Sequence, residues 1–169
     1  MNQKNDNKFT AIFEKYHGKV FNLCVRMCRN TSTAHDLTQD TFLKVYQNMD
    51  RFRGDSKIST WIYSVATNRC IDHIRRQSSW YNRIRLFFTT PEAYSDNMEN
   101  QVIDRNTGMQ ILLKMKPTNR SVLILKQYLG LSYREIADIL GMTPGSVGVQ
   151  LTRARKEAAS IARKEGITQ

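Results

Sequence analysis

The strongest constraint on the fold lies near the C-terminal end, where one helical pattern stops and another begins within a few residues. Ser132, followed three residues later by Glu135, is typical of a capping box at a helix start. Gly141 is a typical left-handed helix end, and Thr143 before Pro144 is an N-cap with proline in the first helical position. Two short helices joined by so tight a turn must cross, so this segment is predicted to form a helix-turn-helix.

The helix-turn-helix segment spans residues 132–157. Its second helix has an apolar face and a polar, basic one. Val147, Leu151 and Ala154 share the predicted buried side. The other side carries hydroxyl, cationic and small apolar groups that suit phosphates, guanine edges and thymine methyl groups in a major groove. The residues predicted to contact duplex DNA are Ser146, Val149, Thr152, Arg153 and Lys156. A helical hairpin that binds no DNA is the alternative.

Apolar residues at three- and four-residue spacing predict helices in the rest of the chain as well. The first runs from about Phe9 to Asn30 and the second from about Ala34 to Arg51. The third begins at the ladder Ile58, Ile62, Ala66, Cys70 and Ile74, and further helices are expected near 107–116 and 118–129. The predicted fold class is therefore all-α.

The periodicity fails from 78 to 106, where Pro91 and other turn residues occur, and this stretch is predicted to be a linker. The alternative for its aromatic part, 80–88, is an extension of the third helix. We therefore expect two small helical domains, an N-terminal bundle of three to four helices over 1–77 and a C-terminal four-helix unit over 107–169.

Charge follows the same division. Of the total net charge of +11, residues 1–78 carry +6, residues 79–106 carry −1 and residues 107–169 carry +6. Each end of the chain therefore attracts polyanions while the middle does not, which indicates two separate nucleic-acid footprints joined by a connector.

The second helix carries an acidic stripe opposite its apolar face. Its members are Asp36, Gln39, Asp40, Leu43 and Gln47. Because carboxylates repel phosphate, this stripe is predicted to meet a basic protein surface, with Leu43 as an apolar contact at its centre. A merely solvated face is the alternative.

The third helix presents Trp61, Ser64, Asn68 and Arg75 on one side, after a polar loop over 52–59. An aromatic ring beside amide and guanidinium groups is suited to stacking and hydrogen-bonding single-stranded bases. Stacking contributes about 1–3 kcal/mol per base, comparable to the few kcal/mol needed to extrude one. This face could therefore open DNA without ATP, although a core role for Trp61 is an equal alternative.

Other chemistry finds little support in the sequence. The three cysteines are odd in number and follow no signal peptide, which indicates a reduced, cytoplasmic chain. Cys24 and Cys28 with His17 or His35 lack a firm set of four zinc ligands. Without a nucleophile constellation or a glycine-rich phosphate loop, no metal, no cofactor and no enzyme activity is expected, and no apolar run is long enough for membrane insertion.

Three segments together resemble a known family. DLTQDTFLKVY (36–46), FRGDSKISTWIYSVATNRCIDHIRR (52–76) and LSYREIADILGMTPGSVGVQLTRARK (131–156) are similar to bacterial RNA polymerase sigma factors of the extracytoplasmic-function (ECF) group. Their order and spacing match over nearly the whole chain apart from the tails and linker. The resemblance implies a sigma-2-like N-terminal domain and a sigma-4-like C-terminal domain.

The resemblance implies a role for each segment. Residues of the first would bind the β′ coiled coil of core RNA polymerase: Asp36, Gln39, Asp40, Phe42 and Leu43, although Phe42 has the spacing of a core residue. Residues of the second would capture flipped bases of the −10 promoter element: Phe52, Arg53, Asp55, Ser56, Lys57, Ser59, Trp61, Asn68, Arg75 and Arg76. The third would read the −35 element and rest on the β flap, and the linker would run through the polymerase channel.

Gly148, Val149 and Gln150 depart from the basic or hydroxyl residues that the family commonly carries there. Contacts made by those side chains do not transfer, and Gly148 is expected to weaken the helix by up to about 1 kcal/mol. The predicted function is a sigma factor that binds polymerase and promoter DNA and is held by an anti-sigma partner. The alternatives are a stand-alone helix-turn-helix regulator with an N-terminal dimerisation or sensing domain, and a polymerase-binding decoy.

Overall fold

The computed structural model describes residues 3–52, 54, 56–87 and 107–166. Within these ranges the chain is helical and contains no strand, as predicted. The N-terminal half comprises α1 (Gln3–Cys28), α2 (Thr31–Asn48), a 3-10 turn (Met49–Arg51) and α3 (Ile58–Phe87). The C-terminal half comprises α4 (Thr107–Lys114), α5 (Pro117–Leu123), a π-helical turn (Ile124–Tyr128), α6 (Tyr133–Leu140) and α7 (Pro144–Lys164).

The start of α2 is fixed by a side-chain cap. Asn30 has extended backbone geometry, and its side chain accepts a hydrogen bond of 2.9 Å from the backbone N–H of Thr33. Such a cap satisfies one of the free amides at a helix start. The helix therefore begins three residues before Ala34, where the apolar pattern alone placed it.

The N-terminal module is a three-helix packing of α1, α2 and α3. The predicted ladder on α3 lies against the other two helices: Ile62, Ala66 and Cys70 are fully buried, and Ile58 and Ile74 pack at its ends. Most of the predicted apolar residues of α1 and α2 face the same core. The core prediction for this module is confirmed.

The third helix is longer than the linker prediction allowed. Its backbone is helical through Phe87, so the prediction of irregular structure from residue 78 is wrong for 78–87, and the alternative of a longer third helix is correct for the backbone there. Turn residues such as Pro91 come only after this stretch, and without a breaker the helix continues. The remainder of the proposed linker, 88–106, lies outside the described residues.

The helix-turn-helix has the predicted local geometry. The Ser132 side chain accepts a hydrogen bond from the N–H of Glu135, and the Glu135 carboxylate accepts one from the N–H of Ser132. Gly141 ends α6 with φ 64° and ψ 41°, a left-handed conformation that a side chain disfavours. Thr143 caps α7 with Pro144 in its first turn.

The two modules pack against each other. Helix α6 lies on α3, and α4 and α5 contact α1. Their buried side chains form one continuous apolar cluster that runs from Val20 and Leu23 on α1 to Ile136 on α6 and Leu151 on α7. In this arrangement the helix-turn-helix sits beside the helix that carries Trp61.

No helix within the described ranges is both long and apolar enough to span a bilayer. The same part of the chain has no cluster of His, Cys, Asp and Glu side chains arranged to hold a metal ion.

Candidate functional site

The acidic stripe of α2 is a continuous exposed surface. Asp36, Gln39 and Asp40 are exposed, and Leu43 leaves 56% of its surface to solvent at the centre of the stripe. The opposite face, with Ala34, Thr41 and Val45, is fully buried against α1 and α3. The amphipathic spacing of α2 therefore fixes which side chains face outward, and the outward set is acidic and apolar.

Phe42 does not belong to this exposed surface. Its ring is only 3% exposed and meets Phe13 at a centroid distance of 4.9 Å and Phe9 at 6.4 Å. A direct contact between Phe42 and a partner, as the resemblance implied, does not fit this structure, because the helical period turns the ring into the core. Its role is to anchor α2 on α1 and so to orient Asp40 and Leu43.

The face of α3 that was predicted to bind single-stranded DNA is only partly open. Trp61 is half-buried and packs on the core, while its ring stacks on Phe52 at 5.3 Å with an interplanar angle of 26°. The ring is therefore supported by the core and paired with a second aromatic. Its contact with single-stranded bases stays a prediction.

Most polar members of the same set lie at the surface. Ser56, Lys57, Asn68, Arg75 and Arg76 are exposed, and Ser59 is half-buried. Arg53 and Asp55 lie outside the described residues. Their neighbour Gly54 has φ 81°, so the loop makes a turn that favours glycine.

Lys57 connects this loop to the helix-turn-helix. Its Nζ lies 2.9 Å from Oε1 of Glu135, the residue that also completes the capping box of α6. Hydrogen bonding to the backbone and hydroxyl of Ser132, together with the Lys57 ammonium, lowers the pKa of Glu135 to about 2. A lysine predicted to bind DNA is thus paired with a carboxylate of the other module.

The outward face of α7 carries all the residues that were predicted to contact duplex DNA. Ser146, Val149, Thr152, Arg153 and Lys156 are exposed, and Val149 leaves 55% of its surface to solvent. Val147, Leu151 and Ala154 are buried on the opposite face, as predicted. The N–H of Ser146 is already bonded to the Thr143 hydroxyl at 3.2 Å, so this amide is not free for a phosphate.

Gly148 and Gln150, the two neighbours of Val149, face the rest of the C-terminal module and are only partly exposed. The Gln150 side-chain amide donates to Oδ1 of Asn119 on α5, and the Asn119 amide donates to the Glu157 carboxylate. Gly148 lies beside the ring of Tyr133, where an added Cβ would stand 3.6 Å from Cε2. Gln150 therefore holds α7 on α5.

Arg120 is a key contact residue that the sequence did not indicate. Its side chain is 7% exposed; one guanidinium nitrogen donates to the backbone oxygen of Met27, and the other to those of Leu113 at 2.7 Å and Met115 at 3.1 Å. Burial lowers the pKa of Arg120 from its ordinary value. Because Met27 lies at the C-terminal end of α1, where free carbonyls carry negative partial charge, the cation binds the two modules together.

A second cation crosses the same boundary. The Arg26 guanidinium of α1 lies 4.4 Å from the ring centroid of Tyr128 in the π-helical turn, within cation–π distance. Arg26, Arg120 and the Lys57–Glu135 pair thus form three polar contacts between the modules.

The chain matches two family models. Residues 12–79 match the model described as Sigma-70 region 2, and residues 109–157 match Sigma-70, region 4. The first match contains the stripe of α2 and the aromatic face of α3, and the second contains the helix-turn-helix.

Curated relatives are similar over nearly their whole length. The RNA polymerase sigma factor YlaC of Bacillus subtilis (strain 168) is 34% identical over 162 residues, which cover 91% of each chain. The ECF RNA polymerase sigma factor SigW of the same organism is 32% identical over 163 residues, 88% of this chain and 85% of that protein.

Solved structures share the fold. The sigma factor RpoE of Bartonella quintana, in complex with the anti-sigma factor NepR, superposes with a TM-score of 0.73 over 92% of this chain and 97% of that one, at 20% identity. CnrH, in complex with the cytosolic domain of CnrY, gives a TM-score of 0.69 over 94% and 90%, at 18% identity.

Proposed function

Because this chain belongs to the ECF group of sigma-70-family RNA polymerase sigma factors, we propose that three of its surfaces divide the work of promoter recognition. As a sigma factor it binds core RNA polymerase, directs it to promoters and promotes DNA melting for transcription initiation. We assign each of these contacts to individual residues of this chain. This assignment keeps the predicted domains over 1–77 and 107–169, with residues 78–106 between them, of which 78–87 continue α3.

The polymerase contact is assigned to the acidic stripe of α2, and its exposure is the observation that carries the proposal. Asp36, Gln39, Asp40 and Leu43 form an outward surface on a helix whose other side is fully buried. Carboxylates around an apolar side chain complement a basic, partly apolar helix surface such as the β′ coiled coil, and they repel DNA. Phe42 supports this surface from below.

The −10 contact is assigned to the exposed groups around the Phe52–Trp61 stack. An aromatic pair that is already stacked and supported by the core can stack with a flipped base without a further loss of side-chain conformational entropy. Asn68, Arg75 and Arg76 supply the surrounding amide and cations, and Lys57 joins them once it leaves Glu135.

The −35 contact is assigned to the outward face of α7, and the C-terminal module is assigned to the β flap. Arg153 and Lys156 provide charge for guanine or phosphate, Ser146 and Thr152 provide hydroxyls, and Val149 provides an apolar contact to a thymine methyl. Because α7 is 21 residues long and capped at its start, it presents these groups at fixed helical spacing.

We further propose that the chain acts in the cytoplasm with RNA polymerase and performs no chemistry of its own. The solved relatives carry anti-sigma proteins, and we propose that such a partner covers the α2 stripe of this chain as well. Hydrogen exchange over α2, compared with and without the partner, tests this. Equal exchange in both states would count against it.

The decisive test of the function is transcription with a stripe variant. Purified protein is mixed with core RNA polymerase and a promoter pool, and the transcripts that initiate are sequenced, for the wild type and for Asp40→Ala. Glu14→Ala is the matched control, because Glu14 is an exposed carboxylate of the same module outside all three proposed surfaces. We expect specific transcripts that Asp40→Ala loses and Glu14→Ala keeps, with duplex affinity unchanged in both.

Two other results would contradict this function. Duplex binding without polymerase association would indicate a stand-alone helix-turn-helix regulator. Polymerase binding without promoter-specific transcripts would indicate a decoy.

A further inference from the structure

Three thiols meet between α1 and α3 in the interior of the N-terminal module. Cys24 and Cys28 lie one turn apart on α1, and Cys70 lies on α3. The sulfur atoms of Cys24 and Cys70 are 3.7 Å apart, and neither residue is exposed to solvent. Cys28 is half-buried, and all three are free thiols.

The two buried thiols are chemically unequal. Cys70 donates its S–H to the sulfur of Cys24, and this contact lowers the pKa of Cys24 and raises that of Cys70 well above its ordinary value. Cys28 also interacts with Cys70. The Arg120 guanidinium interacts electrostatically with Cys28 and Cys70, so positive charge lies beside the cluster. A partly exposed thiol near a fixed cation is a typical setting for cysteine oxidation.

We propose that this cluster is a redox-modification site, at which a hydroperoxide oxidises Cys28 and the oxidation ends as a disulfide between Cys24 and Cys70. Two of the thiols are in contact across different helices, and the third is partly exposed. This redox chemistry is independent of the proposed function.

The steps balance with the hydroperoxide as the sole oxidant. The Cys28 sulfur attacks the terminal oxygen, the O–O bond breaks, and Cys28 becomes a sulfenic acid with release of an alcohol, or of water from hydrogen peroxide. Cys70 attacks the Cys28 sulfur, a disulfide forms and water leaves with the Cys70 proton. Cys24 then attacks the Cys70 sulfur, which forms the Cys24–Cys70 bond and returns Cys28 to a thiol. Two thiols are oxidised and one peroxide is reduced.

The movement required is small. A disulfide brings the two sulfurs to about 2.05 Å, so the present separation of 3.7 Å must close by less than 2 Å. Packed helices shift by about 1–2 Å in ordinary conformational changes. Metal binding is a weaker use of these thiols, because the described residues contain no group of three or more His, Cys, Asp or Glu side chains placed to hold an ion.

The sequence makes the test direct. Trypsin cuts after Lys19, Arg26, Arg29, Arg69 and Arg75, which leaves each cysteine on its own peptide. The reduced full-length protein is treated with a few equivalents of hydrogen peroxide, blocked with iodoacetamide, digested and examined by mass spectrometry without reductant. We expect the peptides of Cys24 and Cys70 to appear joined and that of Cys28 to be alkylated.

Variants separate the steps. Cys28→Ser should slow formation of the Cys24–Cys70 disulfide at least tenfold, Cys24→Ala should trap a Cys28–Cys70 disulfide, and Cys70→Ala should leave a dimedone-reactive sulfenic acid on Cys28. Circular dichroism and melting temperature establish that each variant is folded, and Cys28→Ala is a second entry variant should serine disturb packing. Disulfides only between molecules, overoxidation of Cys28 without a disulfide, or an unchanged rate in both Cys28 variants would each overturn the proposal.

Discussion

The Glu135 carboxylate makes two stabilising contacts. It completes the cap of α6 through Ser132 and pairs with Lys57 of the other module. The cap was predictable because both partners lie within four residues in sequence. The ion pair was not, since Lys57 is 78 residues away and nothing in either local pattern refers to the other. The same holds for Gln150, whose partner Asn119 lies on another helix.

Replacing Glu135 by a neutral residue should therefore lower the free energy of unfolding by an amount that depends on pH. The folded-state pKa of about 2 lies below its ordinary value of 4.5, so the charge stabilises the fold above pH 4.5 and this stabilisation is lost as pH falls towards 2. We expect Glu135→Gln to lower the free energy of unfolding by about 1 kcal/mol at pH 7, the usual size of a cap effect. Urea unfolding at pH 7 and at pH 3 measures the difference.

The control for this prediction is Glu14→Gln, which removes an exposed carboxylate of α1. It should leave the stability unchanged at both pH values. A loss in Glu135→Gln that is equally large at pH 7 and pH 3 would mean that the carboxylate's charge is not the cause.

At the scale of the element, α7 combines a strong start with a weak second turn. Thr143 and Pro144 fix where the helix begins, whereas Gly148 lowers helix propensity one turn later. The space beside Gly148 accommodates a methyl group, because an added Cβ would stand 3.6 Å from the Tyr133 ring, an ordinary contact.

Gly148→Ala should consequently stabilise the protein by up to about 1 kcal/mol. Thermal or urea unfolding measures this, and binding to a −35 duplex reports whether a firmer helix reads DNA more tightly. Gly141→Ala is the matched control: its Cβ would also meet no obstacle, but φ of 64° makes it strained, so it should destabilise by about 1–2 kcal/mol. Destabilisation by Gly148→Ala would show that Tyr133 does not tolerate the added methyl.

The helices show which elements sequence alone could define. Helix starts with a side-chain cap and a glycine end were predicted to the residue in the helix-turn-helix, since the signals are local. The end of α3 was misplaced because residues 78–87 lack apolar periodicity without containing a breaker, and a missing pattern is not a stop signal. The stripe of α2 was predictable from its period, and that same period identified Phe42 as a core residue against its place in the family motif.

At the scale of the whole molecule, the modules are joined by buried and half-exposed polar contacts in addition to the continuous apolar cluster. Arg120 is the most buried of these side chains, with backbone oxygens of Met27, Leu113 and Met115 as acceptors. No local sequence feature marks an arginine for burial, because charged residues are ordinarily exposed. The tertiary arrangement of the modules therefore lay beyond sequence reasoning, although each module was predicted.

Removing the Arg120 guanidinium should lower the free energy of unfolding more than removing an exposed charge does. Arg120→Met keeps most of the volume but leaves three carbonyl oxygens without their donor, and we expect a loss of about 3 kcal/mol or more in the free energy of unfolding. Chemical denaturation measures this, and small-angle scattering at low denaturant reports whether the modules separate. Arg134→Met, which replaces an exposed arginine of α6, should change stability by less than about 0.5 kcal/mol. Equal effects of the two variants would contradict a bridging role.

The acceptor of Arg120 also has a bearing on the order in which the chain folds during synthesis. A ribosome delivers α1 long before residue 120, and domains generally fold as they emerge. The Met27 carbonyl is thus available, at the end of a finished helix, when Arg120 leaves the exit tunnel. Nascent C-terminal helices then assemble on a surface that already exists, so the first half of the chain acts as a template for burying the Arg120 guanidinium, which takes one of its three carbonyl acceptors from that half.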